Sequence, residues 1–173
     1  MNSVVILCGG NSCGKTTTLK GFFKVKGNHS PESYIERKLD GRRICAVSFS
    51  SPQEQEPFCE VRLVNDNIKN RIIECEKNTN GEPYILIIPF TMSGSRKKRK
   101  KINEDCILKP IEKLREKFKV FVIYLRKTNA RNLEDKDALM KRIALKMVET
   151  TKDDYDKSAE LEKYLKGVVI ESH

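Results

Sequence analysis

Residues 9 to 16 read Gly-Gly-Asn-Ser-Cys-Gly-Lys-Thr, and no other stretch narrows the fold so far. The spacing G-x-x-x-x-G-K-[ST] works only between a strand and a helix. Val4 to Cys8 is an apolar run of the kind a buried strand needs, and Leu19, Phe22 and Phe23 follow the loop at helical spacing. Gly9, Gly10 and Gly14 permit backbone angles that turn successive N–H groups onto one concave surface. That surface, with the positive end of the following helix, attracts phosphate oxygens. Lys15 brings a full charge to the β- and γ-phosphates, and the Thr16 hydroxyl can ligate Mg²⁺. Asn11, Ser12, Cys13 and Thr17 complete the cradle.

Strand, loop and helix together resemble the start of a P-loop nucleoside-triphosphate-binding protein. The resemblance is specific over about the first two dozen residues and architectural beyond them. It implies binding of ATP or GTP with Mg²⁺ but no particular reaction.

The remainder of the chain alternates strand and helix signals. Tyr34 to Leu39 and Arg43 to Phe49, joined by Asp40-Gly41, read as a hairpin. Residues 27 to 31 and 50 to 57 are loop-like. Ile68, Ile72 and Cys75 mark a helix from Asn67 to Lys77, and Tyr84 to Phe90 reads as a central strand buried on both faces. Pro110 is expected to open a helix carrying Ile111, Leu114 and Phe118. Val120 to Leu125 is the next strand. Leu139, Ile143 and Met147 predict a long helix; a further helix capped by Asp153 or Asp154 ends near Gly167, before a short strand from Val168 to Ile170. This order predicts an α/β fold, a three-layer sandwich with a mostly parallel central sheet, in one domain over residues 1 to 173.

Charge adds a second constraint. The net charge is +10, and six consecutive basic residues, Arg96 to Lys101, supply more than half of it. They lie in a loop from Thr91 to Ile102, which follows a strand and therefore falls on the nucleotide side of such a sheet. A charge run of this kind is first of all a solvated loop. It is also a candidate lid over phosphates, or a backbone contact for nucleic acid. No aromatic residue interleaves it, so stacking on single strands lacks support. No apolar stretch reaches the ~20 residues of a membrane span. The N-terminal apolar run is too short for a secretory signal, and the expected location is cytoplasmic.

Six cysteines contain no C-x-x-C, and the only histidines are His29 and His173, so zinc is not expected. Cys8, Cys45 and Cys75 read as small core residues. Cys13 sits within the phosphate loop, near a helix start that lowers thiol pKa values.

The expected metal-assisting carboxylate is missing. Proteins of this type carry an acid at the end of a second buried strand, but here that strand reads Ile85-Leu86-Ile87-Ile88-Pro89-Phe90. Glu54 is the first substitute, as it follows the hairpin; Glu56 and Asp66 come next. The element order is similar to that of a small GTPase, yet the D-x-x-G position holds Ser50-Ser51-Pro52-Gln53 and the N-K-x-D position holds Arg126-Lys127-Thr128-Asn129. Guanine selectivity therefore lacks its usual carboxylate. A small-kinase-like protein is the other branch, with Arg126, Lys127 or Arg131 reaching the transferring phosphate. The leading expectation is an ATP-binding, Mg²⁺-dependent phosphotransferase or slow ATPase, with Lys15 and Glu54 in the catalytic roles. The alternatives are a nucleotide-dependent switch and a nucleic-acid-binding protein.

Overall fold

A computed structural model describes residues 2–10, 13–27, 33–55, 60–92, 104–128, 134–151 and 153–170. Six strands form one sheet in the order β2-β3-β4-β1-β5-β6. They are β1 (Ser3–Gly9), β2 (Ile35–Leu39), β3 (Arg42–Ala46), β4 (Tyr84–Thr91), β5 (Lys119–Lys127) and β6 (Lys146–Thr150). Only β2 is antiparallel to its neighbour. The α/β sandwich with a mostly parallel sheet is thus the observed architecture.

Strand β1 lies at the centre because its side chains are apolar on both faces. Ile6 and Cys8 pack toward α2 (Val61–Thr79), α3 (Asp105–Arg115) and α4 (Glu134–Ile143), beside Ile68, Ile111 and Met140. Val5 and Leu7 pack toward α1 (Lys15–Phe23) and α5 (Ser158–Tyr164), beside Leu19, Phe22 and Leu161. The two-residue strand period therefore feeds two separate cores. In the hairpin, Asp40 and Gly41 have φ of 48° and 76°, the pair of positive values that a two-residue turn of matching twist requires.

Several boundaries differ from the sequence reading, among them β3, which ends at Ala46 and not Phe49, and α5, which starts at Ser158 rather than behind Asp153 or Asp154. Helix α2 begins at Val61, not Asn67, because Val64 and Ile68 continue one buried stripe. Asp66 is therefore an exposed residue of that helix rather than a strand-end acid. Pro110 lies inside α3. It has no N–H to offer the Cys106 carbonyl one turn earlier, and Gln53 Nε2 donates to that carbonyl instead, at 3.2 Å. Met147 belongs to β6, since α4 stops at Ile143 and Thr150 buries at the end of a strand beside β5. Val168 to Ile170 form no strand: the chain continues from α5 in π-helical turns over Leu165–Ile170, which bury Leu161, Leu165 and Val169 on one side.

Cys45 and Cys75 are buried core residues, as expected, and a disulfide joins them, tying β3 to α2. Among the described residues no helix is long and apolar enough to cross a membrane, and none form a metal-binding cluster of His, Cys, Asp and Glu.

Candidate functional site

The phosphate-loop signature falls where the sequence places it, between β1 and α1. Gly14 has φ of 97°, in the left-handed region that glycine alone enters without strain. A Cβ on Gly14 would also lie 2.5 Å from the Tyr155 carbonyl oxygen. At Gly9 a Cβ would lie 2.3 Å from Cys13 Sγ and 2.9 Å from the Leu125 carbonyl oxygen. Close packing thus demands both glycines, and conformation demands Gly14 as well. Helix α1 starts at Lys15 without a side-chain cap. The N–H groups of its first turn have no partner within the helix, an arrangement that with the helix dipole suits an anion.

Lys15 is 7% exposed. Its Nζ donates to the carbonyls of Gly9 at 2.9 Å and Gly10 at 2.7 Å, and lies 3.7 Å from Cys13 Sγ. The ammonium is therefore folded back over the loop. Thr16 and Thr17 are exposed on the first turn, and the Thr16 hydroxyl suits an oxygen-seeking Mg²⁺. Cys13 is buried. The neighbouring Cys8 thiol is pushed up to about 12, chiefly by burial, so it stays protonated and inert. Asn11 and Ser12 lie outside the described residues, as do Glu56, Arg131, Asn129 and the basic run Arg96 to Lys101 with most of its loop.

A strap after β6 holds the start of α1 from outside. Thr18 Oγ1 donates to the Tyr155 carbonyl at 3.2 Å and accepts from the Lys157 N–H at 3.0 Å. Lys127 Nζ lies 5.6 Å over the Tyr155 ring. Arg126, expected near the transferring phosphate, instead pairs with Asp137 at 2.9 Å and Glu149 at 3.7 Å. Asp137 also accepts from Tyr124 Oη at 2.7 Å. Arg126 thus anchors α4 to the sheet.

The sheet order changes the question of the missing acid. Strand β1 is flanked by β4 and β5, and Gly9 stands opposite Thr91 and Leu125. Strand β3, which leads to Glu54, is one strand further away. The strand end beside the phosphate loop therefore carries Thr91, fully buried, rather than a carboxylate. Gln53 reaches into this position from the β3–α2 connection. Its Oε1 accepts from the Thr91 N–H at 3.4 Å while its Nε2 holds Cys106. Glu54, next along a 3-10 turn (Pro52–Gln55), is exposed, and its charge acts on Arg71 of α2. Sequence reasoning missed Gln53, Thr91 and Thr18. Only Pro110 carried a signal, since a proline within a helix leaves a carbonyl for some other donor.

No protein-family model matches the chain, and no curated relative does. A solved structure described as a probable GTP-binding protein engB aligns over 98% of this chain and 99% of its own, at 14% identity and a TM-score of 0.47.

Proposed function

We propose that the chain binds a nucleoside triphosphate, ATP or GTP, with Mg²⁺ at residues 9 to 17, and turns it over slowly. The observation that carries this reading is the folded-back Lys15, held over an uncapped helix start by the carbonyls of Gly9 and Gly10. A triphosphate in the cradle meets the loop amides, and the ammonium exchanges two carbonyl partners for charged phosphate oxygens, a stronger bond. Stabilisation of charge on the transferring group is the main catalytic contribution in this chemistry. Mg²⁺ would be held from Thr16 and would neutralise charge between the phosphates. The buried Thr91 at the strand end beside the loop supports slow chemistry, because no carboxylate orders the metal's water there. Glu54 is the proposed assisting acid, acting from the turn that Gln53 anchors. A nucleotide-dependent switch fits the same features and requires no fast step.

Thermal unfolding with ATP, GTP and their non-hydrolysable analogues tests this, each with and without Mg²⁺. At a ligand concentration of 100 times Kd, stabilisation is about 2.7 kcal/mol, a Tm rise of about 5–10 °C for a chain of this size. The rise should be larger with Mg²⁺ and similar for the two bases. Lys15→Ala should abolish it while leaving the apo protein folded. An unchanged rise in that variant overturns the assignment.

A further inference from the structure

Away from the phosphate loop, an unusual electrostatic feature lies where the β3–α2 connection meets α2. Arg71 is 4% exposed. Its Nε donates to Asn67 Oδ1 at 2.7 Å, Nη2 to the Ser50 carbonyl at 2.7 Å, and Nη1 to the Ser48 carbonyl at 3.5 Å. No described carboxylate lies within ion-pair distance of it. Glu54 acts on it only from further off, and burial pulls the guanidinium down to about 10. A buried cation whose partners among the described residues are all neutral acceptors is an expensive arrangement. Three of the guanidinium N–H groups have acceptors, and the fork carries five. In the same connection Ser51 is 1% exposed, and its Oγ has no hydrogen-bond partner among the described residues.

These two deficits share one remedy. The stretch Ser48-Phe49-Ser50-Ser51 follows the C-terminal end of β3, the end at which ligands of this architecture collect. Gln53, two residues on, touches Thr91 at the end of β4, so the stretch lies on the same end of the sheet as the phosphate loop. We propose that Arg71 and Ser51 form the seat of a second oxyanion, the phosphate or carboxylate group of a small co-substrate. The anion accepts from the remaining guanidinium N–H groups and from the Ser51 hydroxyl, which supplies the missing charge and the missing acceptor together. A guanidinium suits this task because its planar fork matches two oxygens at once. The role as a co-substrate seat rests on the nucleotide reading; the existence of the seat does not.

The test titrates the full chain with inorganic phosphate, AMP, GMP and malonate, followed by calorimetry and thermal unfolding. Each titration is run with and without a saturating non-hydrolysable triphosphate and Mg²⁺. Saturable binding that persists beside the triphosphate is expected, with phosphate probes and malonate distinguishing the two anion classes. Arg71→Met should weaken it at least about tenfold, Arg71→Lys and Ser51→Ala less so. Because the unpaired charge is gone, Arg71→Met should unfold no earlier than wild type without anion. Lys15→Ala should lose triphosphate binding and keep the anion, which separates failure of this proposal from failure of the nucleotide reading. Absence of saturable binding to wild type overturns the proposal. So does undiminished binding in both Arg71→Lys and Ser51→Ala, even where Arg71→Met does not fold.

Discussion

The two sides of the phosphate-loop strand are built on opposite principles. On the β4 side the strand end is sealed: Thr91 and Met92 are buried, Met92 N–H donates to the Gly9 carbonyl at 3.0 Å, and Gln53 closes the strand end. On the β5–β6 side the groups are half-buried: Lys127, Thr128 and Tyr155 line the edge, and contact with the loop is made through the Tyr155 backbone and Thr18. The first side fixes the floor of the site by packing, and the second holds it by a few hydrogen bonds in a strap. Substitutions on the two sides should therefore fail differently.

The largest effect is expected at the point where both sides converge. Gly14→Ala forces a non-glycine residue to φ of 97° and a methyl group to 2.5 Å from the Tyr155 carbonyl oxygen. About 2–4 kcal/mol of stability should be lost, seen as a Tm fall of about 4–16 °C. A fall below 2 °C would mean that the strap moves aside at little cost, and the contrast between the two sides would go with it.

Next comes the sealed side. Gln53→Ala removes the shared partner of the Cys106 carbonyl and the Thr91 N–H, at about 1–3 kcal/mol in all. Gln53→Glu should do no better, as a carboxylate cannot donate to the carbonyl. Denaturant unfolding with an unchanged midpoint for Gln53→Glu would show that Gln53 closes nothing.

The interior thiol on β1 sharpens the comparison through pH. Cys8 has its pKa raised from 9.0 to about 12 by burial, so in the fold it stays protonated while the unfolded chain ionises. Its contribution is complete below pH 9 and declines as pH rises toward 12, by up to about 1.4 kcal/mol per unit. Cys8→Ala should flatten the stability profile between pH 9 and 10.5. An equal slope in the variant would assign the decline to other groups, Tyr34 among them, whose hydroxyl is likewise pushed up to about 12, first by burial.

The smallest effect belongs to the strap. Thr18→Val removes the bonds to Tyr155 and Lys157 but keeps the side-chain shape, at about 1 kcal/mol. Thr18→Ser should restore most of it. If the strap holds the loop in its binding shape, Thr18→Val should also weaken triphosphate binding by more than its effect on Tm accounts for. Equal affinity in Thr18→Val and wild type would limit the strap to stability.

The sequence alone determined the phosphate loop, the strand before it, the helix after it and the Asp40-Gly41 hairpin, because each depends on neighbours within a few residues. Glycine at a left-handed position and an apolar run between turn signals are local facts. The order of the strands is not local. Which strand stands beside β1 depends on how the helices cover two apolar faces, and that choice placed Thr91, not the turn holding Glu54, next to the loop. Likewise Pro110 reads as a helix start until Gln53, distant in sequence, supplies the donor that lets a proline sit inside α3. Met147 reads as helical until β5 offers its edge and draws Lys146–Thr150 into the sheet. Local chemistry chose the element at the centre of the site; tertiary packing chose its neighbours, since a carbonyl, an edge or a buried charge takes its partner from whatever the fold brings within reach.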